Sequence, residues 1–518
     1  MLHATDNPGN GSFHSAPANP SPFWFPVILL AGTLLRTLAA WPSEVWLDEA
    51  NGILLASSPF SAWADVLALD SSPPLYYLVL RVFATLSLSS FWLRIPSLLA
   101  GVLTLVLVHQ VCTVLHSRRC GLLATALLAF SPLHVFYSGE LRMYSLLGLL
   151  ALGFWYLLLL RPSLPRYPFA TTLCGLGLCL THHYALPFVA VSLALALCLS
   201  ERRRSALLVA LGLAIGYLPF ATILSDQLVN PDHIAWIRPF WEDYPGGVAL
   251  FRSLQAFLPG GSLPSYVPLS GLPAQAAVLG LPMLFMGLAL FTGGRAGLSR
   301  LALLTASVGL PLSALVFVSY VFRPIYLAGR SDVLVLPLFV CLLALLYVRL
   351  PRTFLILALG LYLLLGGLQG WNSWPRWSKP GNAELAASIR TAACDTVLCS
   401  GLSYAAMTYY GRLSTPGWET LAFPPEIADH PGNFASSAWP LEKLGDAARR
   451  ALLDLEAAKG RSCVLLSHAS YAVPLAGALQ RRGSVTVVRE DLRSSLQREP
   501  FSLLVLGELG SSGNSGGP

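Results

Sequence analysis

The chain has 518 residues, of which 11% are charged and 55% hydrophobic, with a mean hydropathy of +0.62. About a quarter of the residues in a soluble domain are charged, so this composition excludes a soluble enzyme on a single anchor and implies a polytopic membrane protein. The net charge of +7 does not mark a nucleic-acid binder, because the basic residues sit mainly in short loops between apolar runs.

Residues 1–22, rich in Asn, Pro, Ser and Gly, read as a disordered lead-in. They lack the basic start and cleavage site of a removable signal peptide, so Phe23–Ala40 is expected to stay as a helix. Apolar runs long enough to span then follow at Ile95–Leu115, Cys120–Tyr137, Met143–Leu160, Tyr167–Thr181 and Tyr184–Leu199. Further runs lie at Ala206–Leu224, Leu272–Phe291, Leu301–Tyr320, Val333–Tyr347 and Phe354–Leu368. Basic loops at Arg118-Arg119, Arg161 to Arg166, Arg202 to Arg204, Arg295 to Arg300 and Arg349 with Arg352 fall on alternate turns. They assign that side and the N-terminus to the cytoplasm. The turns carrying Asp48, Glu140, His182 and Arg330, and the 225–271 loop, then face outside. Pro73-Pro74 opens a helix-like run, 74–88, whose full crossing would invert every later loop. It is expected to pack at the membrane face, giving about eleven spans over residues 23–370.

From about residue 376 the composition changes. Helix-like stretches (Glu384–Thr391, Leu441–Lys459, Val473–Arg482) alternate with β-prone runs (Thr396–Cys399, Cys463–Leu466, Val485–Val488, Ser502–Leu506). The alternation predicts a small extracytoplasmic α/β domain over 376–510, followed by a flexible Gly/Ser-rich tail, 511–518. Six of the nine cysteines lie in or at the ends of spans and read as small hydrophobes. Cys394, Cys399 and Cys463 lie in the outer domain, and a Cys399–Cys463 bridge between neighbouring strands is conceivable.

Carboxylates beside a membrane are functional candidates, and Asp48-Glu49 stands just past the first span. The chain then carries Trp46-Leu47-Asp48-Glu49-Ala50, Asp70-Ser71-Ser72-Pro73-Pro74-Leu75-Tyr76-Tyr77, Arg94-Ile95-Pro96-Ser97, and Ser131 to Tyr144 with Gly139-Glu140-Leu141-Arg142. In this order they resemble the hallmarks of bacterial GT-C glycosyltransferases of the protein O-mannosyltransferase and aminoarabinose transferase type (glycosyltransferase family 39-like). The resemblance covers about residues 20–370 and hardly reaches the outer domain. It implies a mainly α, transmembrane GT-C fold in the bacterial plasma membrane. It also implies transfer of a sugar from a polyprenyl-phosphate donor to a hydroxyl of a protein, lipid or glycan acceptor at the extracytoplasmic face.

On that resemblance Asp48 is the general base, with Glu49 as runner-up and otherwise a helix-start acid. Asp70 orients the acceptor, holds a metal, or caps the following helix. Relatives often carry His just before Pro-Pro, where Ser71-Ser72 stands here, so a divalent metal is left open and no cofactor is assigned. Glu140 and Arg142 line the donor site or bridge each other. His182-His183 resembles a Thr-His-Tyr segment of relatives, whereas His134 and Tyr144 read as interface residues. Arg330, after Tyr326-Leu327-Ala328-Gly329, offers a fork of donors to the lipid phosphate or pairs with Asp332, and Arg323 is a second candidate. Trp236, Arg238, Trp241, Glu242 and Tyr244 form an aromatic and charged cluster that reads as an interfacial belt or a sugar platform. The rival classes are a transporter or flippase, which would show paired repeats and midplane charge, and a non-catalytic scaffold.

Overall fold

The computed structural model describes residues 23–41, 44–160, 167–229, 237–238, 241, 247–259, 284–289, 298–377, 381–428, 441–458, 460–467, 469–481, 485–493 and 500–506. The lead-in, the tail and most of the 272–291 run lie outside the described residues.

The helices in chain order begin with α1 (Trp24–Ala40), α2 (Leu47–Ser57), α3 (Trp63–Leu69), α4 (Leu75–Ala84), α5 (Ser90–Leu115), α6 (Arg118–Ala129), α7 (Pro132–Ser138) and α8 (Tyr144–Leu160). They continue with α9 (Tyr167–Cys179), α10 (Ala185–Cys198), α11 (Arg203–Tyr217), α12 (Ala221–Val229), α13 (Gly247–Phe257), α14 (Leu298–Val321), α15 (Leu336–Tyr347) and α16 (Arg352–Trp377). Among the described residues, four helical segments are long and apolar enough to cross a membrane alone: Ser90–Leu115, Ser200–Val229, Leu298–Val321 and Arg352–Gly370. Shorter apolar helices include α1, α8, α9 and α10. The run through α11 and α12 leaves Leu207, Leu211, Ile215 and Leu218 exposed, the surface a lipid-facing helix needs. The chain is thus a multi-pass membrane protein. Helix α4, with ten residues at about 1.5 Å each, covers roughly half of a hydrocarbon core of ~30 Å.

The Cys120–Tyr137 run, read from its apolarity as one span, is two helices bent by 66°. Pro132 at the first position of α7 has no N–H to give the carbonyl of Leu128. Arg36, fully buried in α1, supplies a donor in its place. Its Nη2 donates to Leu128 O at 3.0 Å and its Nη1 to Ala129 O at 3.1 Å and Gly32 O at 2.7 Å. His134, expected at an interface, is instead buried, with its Nδ1 2.7 Å from Arg36 Nη2.

The C-terminal domain adds α17 (Asn382–Thr391), β1 (Thr396–Ser400), α18 (Ser403–Leu413), β2 (Glu419–Phe423), α19 (Leu441–Ala457), β3 (Ser462–Leu466), α20 (Ala469–Gln480), β4 (Val485–Arg493) and β5 (Pro500–Leu506). The sheet order is β2-β1-β3-β5-β4, with β2, β1 and β3 parallel and β5 antiparallel to both neighbours. Alternate residues serve two cores, as strand geometry requires. Leu398 and Val464 join Leu452, Leu455 and Leu475 under α19 and α20. Val397, Cys399, Cys463 and Leu465 point the other way, into the core shared with α17, α18 and the membrane helices.

That register decides the disulfide. Cys463 lies opposite Val397, not Cys399, and the bridge forms between Cys394, just past α17, and Cys463. Cys399 stays a buried free thiol, which corrects the sequence-based pairing.

Candidate active site

Helix α2 starts directly after the extended residue Trp46, with Asp48 and Glu49 in its first turn, where the unpaired N–H groups favour negative charge. The two carboxylates then diverge. Glu49 is wholly buried: Oε2 accepts from Arg94 Nη2 at 2.7 Å and from Trp46 N–H at 3.4 Å. Its Oε1 accepts the Leu141 N–H at 2.8 Å, so it ties α2, α5 and the α7–α8 turn together.

Asp48 keeps 19% of its side chain exposed and meets two arginines. Arg330 Nη2 donates to Oδ2 at 2.8 Å, and Arg142 Nη2 stands 3.9 Å from the same oxygen. Arg142 Nη1 also holds the Asp48 carbonyl at 3.1 Å. Tyr144, which reads in the sequence as an interface residue, lies beneath both guanidiniums. Its hydroxyl accepts from Arg330 Nε at 2.5 Å, and its ring centroid lies 5.6 Å from Arg330 Cζ and 6.0 Å from Arg142 Cζ.

Arg330 is aimed by the turn before it. Gly329 has φ +77°, a left-handed conformation that suits glycine. Asp332 Oδ2 accepts the Gly329 N–H at 3.0 Å, and Tyr137 donates to the Gly329 carbonyl at 2.6 Å. Asp332 therefore builds the turn, while the Arg330 guanidinium reaches Asp48. Burial pushes the Asp332 carboxyl up to about 6.

The remaining candidates surround this centre. Asp70 Oδ1 accepts the Ser71 and Ser72 N–H groups at 2.5 and 3.1 Å, and Oδ2 accepts the Tyr77 hydroxyl at 2.8 Å. It is an acid turned onto its own Pro-Pro turn. His183 Nε2 lies 2.5 Å from Gln227 Oε1, and Gln227 Nε2 donates to Leu67 O at 2.7 Å. This links His183 to the segment that carries Asp70, a role for Gln227 without a sequence signal. His182 stacks on Tyr184 at 4.0 Å, and its Nδ1 accepts the Tyr184 N–H at 3.3 Å. Burial, with His183, Arg142 and Arg330 nearby, holds it well below the usual imidazole range, so it is neutral.

Glu140 is buried in the turn between α7 and α8, beside Arg142 in sequence. Tyr326 is buried, with its hydroxyl on Ser253 and its ring 6.4 Å from Trp241. Arg323 Nη2 lies 3.5 Å from Gln227 O. Trp236, Glu242 and Tyr244 of the aromatic cluster lie outside the described residues. Among the described residues, no group of three or more His, Cys, Asp or Glu could hold a metal ion.

A bundle of apolar helices, short helices α2–α4 of which α2 carries the acidic pair, and an appended α/β domain together define the GT-C membrane fold. Two solved structures carry that assignment, both of ArnT from Cupriavidus metallidurans. The chain superposes on ArnT bound to undecaprenyl phosphate with a TM-score of 0.56 at 12% identity, covering 93% of this chain and 98% of that one. On the apo state the TM-score is 0.54 at 13% identity, with the same coverage. No protein-family model matches the chain, and no curated protein matches it in sequence.

Proposed function

We propose that the chain is a membrane glycosyltransferase. It moves a sugar from a polyprenyl-phosphate donor to an acceptor hydroxyl at the extracytoplasmic face, in a single inverting displacement with Asp48 as general base. One observation carries this reading. Asp48, partly exposed, meets Arg330 and the buried Arg142, which lie 282 and 94 residues further along the chain. Charges drawn from three distant segments and kept largely out of solvent are a costly way to build stability and a usual way to build a site.

The chemistry balances with these groups. The acceptor oxygen bonds to the anomeric carbon while its proton passes to the Asp48 carboxylate. The bond from that carbon to the phosphate oxygen breaks, and its electron pair stays on the lipid phosphate. Arg330, with its bidentate fork, and Arg142 receive the growing charge, the electrostatic contribution that usually dominates. An arriving phosphate competes with Asp48 for Arg330, so donor binding itself loosens the 2.8 Å pair that occupies the base. The fold is shared with ArnT solved bound to undecaprenyl phosphate, which supports a polyprenyl-phosphate donor.

On this reading Glu49 is a positioning residue rather than a base. Asp70 and His183 hold the Pro73-Pro74 segment against the site, and His182 supplies a neutral wall. Glu140 and Tyr326 line the donor side. The N-terminus is cytoplasmic and the C-terminal domain extracytoplasmic, with about eleven spans over residues 23–370 and α4 at the membrane face. The test is product analysis with the purified full chain, a polyprenyl-phosphate sugar and membranes as acceptor source. Release of polyprenyl phosphate together with a glycosylated product is expected. No release by intact, correctly folded protein overturns the assignment.

A further inference from the structure

The segment just ahead of Asp48 is held by the C-terminal domain. Val45 is fully buried, and both of its backbone groups are engaged from that domain. Its N–H donates to the Tyr410 hydroxyl of α18 at 3.1 Å, and its carbonyl accepts from Asn382 Nδ2 of α17 at 3.0 Å. The neighbouring Glu44 carboxylate accepts the Ala383 N–H at 3.1 Å, one of the first-turn donors of α17 that has no helical partner. The opposite side of the strip is held from the membrane helices. Arg94 Nη2 donates to the Glu44 carbonyl at 3.0 Å and, with the same nitrogen, to Glu49 Oε2.

The two domain helices are themselves anchored. Tyr409 of α18 donates to Leu88 O at 2.8 Å, just before α5. Beyond α17, Cys394 is bridged to β3 through Cys463. Helix α18 also packs directly on α2. Since α2 begins at Leu47, a shift of Glu44–Val45–Trp46 moves the start of a rigid helix and carries Asp48 with it.

We propose that the C-terminal domain is part of the catalytic apparatus: Glu44, Tyr410 and Asn382 are positioning residues that set where the Asp48 carboxylate stands against Arg330. The inference rests on Asp48 being the base. Its mechanical half, a domain that clamps residues 44–46, stands apart from that reading.

The experiment uses the full chain in lipid nanodiscs. Its variants are the double Tyr410→Phe/Asn382→Ala, Glu44→Ala, and Glu44→Gln, which keeps an oxygen to accept the Ala383 N–H. The double variant and Glu44→Ala are expected to lose about a hundredfold in kcat, the scale of an ångström's misplacement, with donor KM within about twofold of the parent. Backbone amides of residues 45–50 should exchange about tenfold faster, while those of β1 and β3 keep their protection. Glu44→Gln should restore kcat to within a few-fold of the parent. Parental kcat and exchange in the double variant would overturn the proposal. So would loss spread over KM and over the whole domain, or a failure of Glu44→Gln to rescue. If the parent chain transfers no sugar at all, the transferase reading falls, while the exchange measurement still decides the clamp.

Discussion

Asp48 and Glu49 are consecutive, and each meets an arginine at hydrogen-bond distance, 2.8 Å to Arg330 and 2.7 Å to Arg94. The Glu49 pair is sealed, with no exposure of either side chain, whereas Asp48 and Arg330 keep 19% and 14%. Glu49 also takes two backbone N–H groups, so its oxygens are committed to holding α2 in place. Asp48 and Arg330 keep partial exposure beside the buried Arg142, and the proposed mechanism has the phosphate compete for these cations and the hydroxyl approach there. One helix turn thus presents a sealed structural acid and, on the mechanism proposed above, a reactive one, and burial separates them.

The largest expected effect tests the open pair. Asp48→Asn keeps the shape but cannot take a proton, so transfer should fall by about two orders of magnitude or more with the thermal midpoint unchanged. Near-parental transfer by this variant would end the distinction between the two acids. Glu49→Gln should show the reverse pattern. Breaking a buried pair leaves Arg94 with an uncompensated charge, at a cost of about 3 kcal/mol. The folded fraction should nevertheless retain much more transfer than Asp48→Asn, and denaturant melts run beside turnover assays measure both quantities. Equal stability in the two variants would contradict the contrast.

A smaller effect sharpens the role of Arg330. Arg330→Lys keeps the charge but loses the fork, so donor KM should rise about tenfold, with Arg330→Ala worse. Unchanged turnover at limiting donor in both variants would remove Arg330 from the site.

The smallest effect concerns the turn behind it. The folded-state value of Asp332, about 6, lies above its ordinary 3.8, so the folded chain holds a proton that the unfolded chain releases between those values. Its contribution to stability is therefore fullest below about pH 4 and falls as pH rises towards 6. Asp332→Asn retains an acceptor for the Gly329 N–H and should flatten that slope in thermal melts from pH 4 to 7. An unaltered slope would show that another group titrates there.

The order of the motifs pointed to Asp48 and Arg142, and Gly329-Arg330 ahead of a long span pointed to Arg330, because the residue types that handle a phosphate and a proton are few and their turns alternate with basic loops. What the sequence left out depends on tertiary register. Arg94 stands there only inside a short motif, and nothing in it says that its partner is Glu49 rather than solvent. Tyr144 reads as a membrane-interface residue because that is where tyrosines usually lie, yet here it carries two guanidiniums. Strand runs alone favoured Cys399 as the partner of Cys463. The parallel register offset them by two residues and handed the bond to Cys394. Strand β2 and helix α18 lie between the predicted elements without a strong apolar pattern, so Tyr410 had no visible destination. The α6–α7 break did have a signal, Ser131-Pro132, but the apolarity on both sides outweighed it.

Arg36 has a consequence for how the chain is made. Three of its hydrogen-bond partners, Leu128, Ala129 and His134, lie 92 to 98 residues further along. When α1 leaves the ribosome none of them has been synthesised, and an arginine within an apolar helix costs up to about 3 kcal/mol during insertion, less towards a helix end. Helix α1 is thus made well before the kink that satisfies its arginine, and its final seating is expected to wait for residues 128–134. A chain cut after Leu115 should hold α1 less firmly in the bilayer than one cut after Ser138, and alkaline extraction of the two nascent chains would show it.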